Sequence, residues 1–378
     1  MSEAHRRDAA HGPAYLAVAL CVGCALVTTP PPLTAQPARS ETEISAAVDA
    51  RVAELFAEFT TPGAAGAAVV VARGDTIVLA RAFGLADVER RVPVTPTTAF
   101  RLASVTKQFT AAAILALVED GRLSLDGHLG DLLPDAPAYA LGVRVRHLLA
   151  HTSGIPDYEP LLGSDDGPQL QDRDVLALLH EARSLYFLPG TSWRYSNSGY
   201  ALLALIVERV SGERFATFLR RRIFDRAGMP AAVAHEAGRD TVSERAYGHS
   251  FEQGEWRRTD QSRTSAVLGD GGIYASAVEL ARWSAALDRN TVLRAETFAQ
   301  ATTPVSLPSG APTHYGFGWF LDSYRGHPRQ RHEGDSIGFR TAIQRYPDAR
   351  LTVIVLANRG AAPIDALSDA VADLFLSR

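Results

Sequence analysis

Strand-like sequence stands at both ends of this chain, and the long stretch between them reads as helix. Near the N-terminal end, "AAGAAVVVARGDTIVLARAFG" (64–84) gives two β-rich runs around Arg73-Gly74-Asp75, a hairpin turning at the glycine. The same tripeptide spells an integrin motif, but its place between two apolar runs makes it a tight turn. Strand signals return only in "YGFGWFLD" (315–322), "GFRTAIQRYP" (338–347) and "RLTVIVLANR" (350–359), with a turn at Pro347-Asp348. Helical patterning covers Glu41 to Phe59, most of residues 100 to 265, and the closing "PIDALSDAVADLFL". Edges left open at either end need partners. The economical solution is one antiparallel sheet built from both chain ends and flanked by helices. The expected class is α/β (α+β), with residues 41–99 plus 266–378 forming the sheet domain and 100–265 a mostly helical inserted domain. No internal repeat or low-complexity tract follows residue 40.

The first 35 residues read differently. Arg6 and Arg7 precede an apolar stretch from Ala14 to Val27, and "TTPPPLTAQPARS" follows with small residues near Ala35. That is the layout of a secretory signal at 1–35, and it implies a secreted or periplasmic protein, membrane-anchored if the signal stays uncleaved. The apolar stretch is short of the about 20 residues a membrane span needs. Cys21 and Cys24, the only cysteines, fall inside it. A mature chain would then carry none, which excludes disulfides, thiol catalysis and thiolate metal sites. A net charge of -4 argues against a nucleic-acid partner.

Of 38 basic side chains, 37 are arginine; Lys107 is the single lysine. Arginine replaces lysine wherever only charge is needed, but its pKa, above roughly 12, bars it from acting as a base. Burial can tune a lysine down until it accepts a proton. Lys107 opens a run, Phe109 to Val118, that is apolar nearly all round and so calls for a helix buried on every side, with Gly121 placed as its C-cap. Ser104 stands three residues earlier, on the same face, where the positive end of the helix dipole is felt. This is an S-x-x-K arrangement. Two further patterns join it: Tyr195-Ser196-Asn197 before a second mostly apolar helix, and His332-Glu333-Gly334 leading into the C-terminal strand pair.

S-x-x-K, Y-x-N and H-x-G, in that order, resemble the serine β-lactamase and penicillin-binding-protein superfamily. The tyrosine form is similar to the branch holding class C β-lactamases, D-alanyl-D-alanine carboxypeptidases and family VIII esterases. "RHLLAHTSGIPDY" (146–158) and "GDGGIYASAVELARW" (269–283) are similar to that branch too, and the likeness spans roughly Glu41 to Leu376. The resemblance implies a β-lactamase/transpeptidase-like fold and a serine hydrolase without cofactor or metal. In that reading Ser104 is the nucleophile, Lys107 and Tyr195 share the removal of its proton with the base left open between them, and Asn197 binds substrate and steadies Lys107. The backbone N–H groups of Ser104 and Asp335 would form the oxyanion hole, with His332 and Gly334 lining the substrate site. The expected partner is a small acyl substrate: an ester, an amide or a D-amino-acid peptide.

Competing patterns are weaker. Gly334-Asp335-Ser336-Ile337-Gly338 matches the G-x-S-x-G nucleophile elbow, but no histidine follows His332, and the next run is β-like where an elbow needs a helix. His147 and His151 have metal-ligand spacing, yet "HLLAH" lacks the glutamate of a zinc protease, so a structural role is expected. Arg220 to Arg222 reads as a solvated helix face. The opposing class is a binding protein for cell-wall fragments or β-lactams, which need not keep Ser104, Lys107 and Tyr195 together; a true β-lactamase or carboxypeptidase is the alternative within catalysis. Against that alternative stands His332, which replaces the third-motif lysine of the lactamases with a side chain mostly neutral at pH 7. It could still donate one hydrogen bond to substrate. Strand alternation sends Arg331 to the other face, leaving Arg340 as the candidate for the missing charge. Loops 159–174 and 235–265 are expected to set pocket width.

Overall fold

The computed structural model describes residues 41–163 and 167–376. The signal expected at 1–35, with Cys21 and Cys24, lies outside the described residues. The main sheet has six antiparallel strands in the order Phe320–Tyr324, His327–Ser336, Phe339–Tyr346, Leu351–Ala357, Ala67–Arg73 and Thr76–Phe83. Both chain ends thus meet at its centre, where Ala67–Arg73 pairs with Leu351–Ala357. One cross-strand row runs Ala80, Val70, Ile354, Ile343, His332. The histidine of the third motif is therefore the continuation of a core row.

Every residue of Leu351–Ala357 is buried, as are all of Ala67–Ala72. A half-wet antiparallel strand would alternate polar and apolar residues; these do not, because both faces of the sheet are covered. On one face Val69, Val71, Val353 and Val355 pack with Val52, Leu367 and Val371 from the first and last helices, Glu41–Leu55 and Ile364–Ala372. On the other face Val70, Ile354 and Ile343 join Phe109 and Trp283 in the larger core. That core encloses the helix Lys107–Glu119, of which every residue from Lys107 to Leu117 is buried, and much of the helix Asn197–Ser211.

Three expectations about elements need correction. The motif His332-Glu333-Gly334 does not precede the strand pair; it lies within a ten-residue strand, His327–Ser336, whose polar sequence hid it. Conversely, Tyr315–Trp319 is a loop, with Gly318 in the left-handed region at φ +79°. A Cβ there would come within 2.8 Å of the Lys107 carbonyl oxygen, so glycine is what lets this loop press on the start of the lysine helix. Within 100–265 the hairpin His249–Glu252/Glu255–Arg258 breaks the helical reading, with Phe251 opposite Trp256. The predicted turn at Gly74 is present at φ +58°.

Candidate active site

Ser104 sits in the single 3-10 turn Ala103–Thr106, directly ahead of the helix that Lys107 begins. In a 3-10 turn residues i and i+3 eclipse, and Lys107 Nζ accordingly lies 3.0 Å from Ser104 Oγ. The preceding residue, Ala103, takes φ +48°, an uncommon setting for a residue with a side chain. The turn is pinned by the Leu102 N–H, which donates to the Ile273 carbonyl at 2.8 Å.

The remaining contacts of Lys107 decide what it can do. Its Nζ donates to Asn197 Oδ1 at 2.8 Å and to the Asp270 carbonyl at 2.9 Å, and the side chain is fully buried. The Asn197 amide is oriented by its own Nδ2, which donates to Glu159 Oε1 at 3.2 Å. Two of the three partners are therefore acceptors only. The Ser104 hydroxyl is the one that can reverse, donating to a neutral amine or accepting from an ammonium. The contact best suited to proton transfer is the one to Ser104.

Tyr195 packs its ring under the same ammonium, 4.9 Å from Nζ to the ring centroid. Burial pushes its phenol above the usual tyrosine value, while Lys107 and a hydrogen bond with Ser104 pull it back. Ser104, Tyr195, His332, Gly334 and Asp335, five of the seven residues singled out in the sequence, line one cavity of about 570 Å³ together with Phe320, Arg340 and residues 362–366. Lys107 and Asn197 lie behind them, joined to Ser104 through the hydrogen bonds above.

His332 departs from expectation. It is 1% exposed, and burial, reinforced by Lys107, lowers it to about 3, so it is neutral throughout the ordinary range. Its Nδ1 lies 2.7 Å from the Glu333 carbonyl, which can only accept; Nδ1 therefore carries the proton, and Nε2 accepts from the Tyr315 hydroxyl at 3.0 Å. Neither nitrogen is left to donate to substrate, contrary to the sequence expectation. Arg331 does lie on the opposite side, paired with Asp322 and Glu333, and Arg340 lines the cavity but is paired with Asp335 at 2.5 Å.

Ser336 is no elbow: it ends a strand and leads through Gly338 into the next strand, not into a helix. His147 and His151 each turn Nδ1 to a backbone N–H, from Arg144 and Ser196 respectively, both at 3.2 Å, and among the described residues no group of three His, Cys, Asp or Glu could hold a metal ion. Of the arginines 220–222, Arg220 and Arg221 are exposed, Arg221 paired with Glu213, whereas Arg222 is largely covered and paired with Asp120.

Sequence reasoning missed a ring of acids around the lysine. Asp157 Oδ1 accepts the Asn197 N–H at 3.1 Å, and Asp270 Oδ2 accepts from the Tyr158 hydroxyl at 3.0 Å. Burial raises all of them, Asp270 to about 6 and Glu159, where Asp157 and Asp270 add to the effect, to about 7. Asp157 and Asp270 come from the segments "HTSGIPDY" and "GDGGIYAS", legible as patterns without disclosing what they hold, and Glu159 follows directly after the first.

A sheet covered on both faces, with a Ser–Lys pair at the head of a buried helix and a tyrosine facing it, is the layout of a class of serine-dependent acyl-transfer folds. The chain belongs to the Beta-lactamase family, which it matches over residues 48–376. It is 33% identical over 306 residues to penicillin-binding protein 4* of Bacillus subtilis (strain 168), covering 77% of this chain and 67% of that protein. It is 32% identical over 318 residues to a D-aminopeptidase of Gluconobacter oxydans (strain 621H), covering 83% of this chain but only 59% of that longer relative. The octameric penicillin-binding protein homologue from Pyrococcus abyssi shares the fold with a TM-score of 0.75 and 27% identity, over 87% of this chain and 76% of that one. Among the described residues no helix is long and apolar enough to cross a membrane.

Proposed function

We propose that this protein is a serine hydrolase that cleaves esters or small amides through an acyl-enzyme on Ser104. The observation that carries this is the 3.0 Å contact between Lys107 Nζ and Ser104 Oγ, with the other two amine contacts fixed on groups that only accept. Ser104 Oγ attacks the substrate carbonyl as its proton passes to the Lys107–Tyr195 pair. The oxyanion is met by the N–H groups of Ser104 and Asp335, and the stored proton then leaves with the departing alcohol or amine. Water, deprotonated by the same pair, frees the acyl group and restores Ser104.

The substrate class follows from charge. The third-motif position holds a neutral, fully engaged histidine, while Arg331 and Arg340 are each committed to carboxylates. A charge-assisted contact is about twice as strong as a neutral one, and this site offers none for a carboxylate next to the scissile bond. Uncharged acyl groups are therefore favoured, esters first, with D-amino-acid amides or peptides second. The second class has support of its own in the D-aminopeptidase relative and in Glu159, an acid hydrogen-bonded to Asn197. On a panel of p-nitrophenyl esters, D-alanyl peptides and nitrocefin, p-nitrophenyl butyrate is expected to exceed nitrocefin in kcat/KM by at least about tenfold, or about 1.4 kcal/mol. Efficient nitrocefin turnover with esters ignored would make it a β-lactamase instead. Residues 1–35 are proposed as a secretory signal placing the enzyme in the periplasm or outside the cell; an intact mass that retains Met1 on protein from an envelope fraction would contradict this.

A further inference from the structure

His151 lies 1% exposed behind the site, outside the cavity lining, in a left-handed backbone setting of φ +57°. Its carbonyl accepts the Arg194 N–H at 3.0 Å and its Nδ1 accepts the Ser196 N–H at 3.2 Å. The residues on either side of Tyr195 thus hang from one residue. Its ring also packs on the Tyr195 ring, with centroids 4.2 Å apart and a 34° tilt. The same segment continues the attachment, Thr152 accepting from the Gly190 N–H at 2.7 Å.

The tautomer follows from these contacts. Nδ1 is an acceptor, so the proton of the neutral ring is on Nε2, which is buried without a partner. The ring then has no free lone pair and cannot serve as a base. We infer that His151 is a positioning residue for Tyr195, holding the backbone of residues 194 and 196 so that the phenol stays against Ser104 and Lys107. This rests on the reading of Tyr195 given above. The charged and titratable groups around the ring are Lys107 from its helix, His332 from the sheet, Tyr195 and Tyr200 beside it, and Tyr315 from the loop, with centroids 5.1 and 4.6 Å away for Tyr200 and Tyr315. Burial and the positive charge of Lys107 keep the imidazole far below its usual pKa, so the acceptor at Nδ1 persists at every working pH.

Two substitutions separate the hydrogen bond from the packing. His151→Asn places its Oδ1 where Nδ1 stood and suits the left-handed backbone, but deletes most of the ring. His151→Phe keeps the ring and deletes the acceptor. A misplacement of about 1 Å near the chemistry can cost about 10²-fold. His151→Phe is therefore expected to lower kcat for p-nitrophenyl butyrate by about 10- to 100-fold, with KM within about threefold, and to shift the pH limb of kcat/KM that reports the Lys107–Tyr195 pair. His151→Asn should melt lower yet keep the unshifted profile and kcat within about fivefold per folded molecule. Wild-type kcat and profile in His151→Phe, or losses in both variants that only track the folded fraction, overturn the inference. Should neither variant fold, 15N spectra of the unaltered protein decide: a His151 that is Nδ1-protonated, or that titrates between pH 5 and 8, refutes it. Tyr195→Phe separates the two readings. If Tyr195→Phe stays active, the assignment of Tyr195 fails; if it is inactive while His151→Phe behaves as wild type, only the role of His151 fails.

Discussion

Gly334→Ala is a one-methyl change that should disable the site while leaving the fold standing. A Cβ at Gly334 would lie 2.2 Å from Thr341 Oγ1, 2.3 Å from the Leu102 carbonyl oxygen and 3.1 Å from Ala103 Cβ. Ordinary contacts begin near 3.5 Å, so something must yield by about 1 Å. Thr341 could rotate, but it is fully buried and its hydroxyl donates to that same Leu102 oxygen at 2.7 Å. The Leu102 side cannot recede, since its N–H is tied to Ile273 at 2.8 Å. The displacement therefore falls on the strand His327–Ser336, which carries Asp335 away from Ser104. Overpacking costs about 1–3 kcal/mol of stability, a fall of a few degrees in Tm for a chain of this size. Losing one oxyanion donor costs about 10²- to 10³-fold in kcat. Steady-state kinetics on p-nitrophenyl butyrate, with circular dichroism melting as the control, measures both. Ser336→Ala, two residues on, should keep most activity. A Gly334→Ala enzyme within threefold of wild-type kcat would show that the strand and the serine turn are not coupled in this way.

Lys107→Arg retains the charge but not the capacity to take a proton, and should lower turnover by about 10³-fold or more; an arginine enzyme with a tenth of wild-type activity would exclude a titrating amine. Asp172 provides a pH test outside the cavity lining. Burial pushes its carboxyl up to about 8 although it accepts the Leu268 and Gly269 N–H groups at 3.0 and 2.9 Å. With an unfolded value of about 3.9, the folded state holds a proton the unfolded state lacks, so stability falls as pH rises through that window and levels off above it. The Tm advantage of wild type over Asp172→Asn should shrink from pH 5 to pH 8, and a widening gap would reverse the sign.

The parts of the site legible in the sequence are those written locally. Ser104 and Lys107 are one turn apart, and a lone lysine among arginines advertises a need for more than charge. The central strands were equally plain, because burial on both faces leaves valine runs that only a sheet explains. The strand His327–Ser336 was not, since its arginines satisfy themselves on Asp322 and Asp369 across the sheet surface and give it a polar sequence. The acids around Lys107 and the clamp on Tyr195 also escaped notice. Asp270 is 163 residues from the lysine it faces, and His151 is 45 from the Ser196 N–H it accepts. No local pattern announces such pairings. The state of His332 was half visible: histidine predicts neutrality, but only Tyr315 and the Glu333 carbonyl reveal that both its nitrogens are engaged.

The proposed chemistry turns on a covalent acyl bond to Ser104. Purified protein treated with a fluorophosphonate, or quenched during p-nitrophenyl butyrate turnover, would be analysed by intact mass and peptide mapping. One adduct per chain is expected, located on Ser104, absent from Ser104→Ala and formed much more slowly in Lys107→Arg. An adduct on Ser336, or turnover with no adduct and full activity in Ser104→Ala, would contradict it.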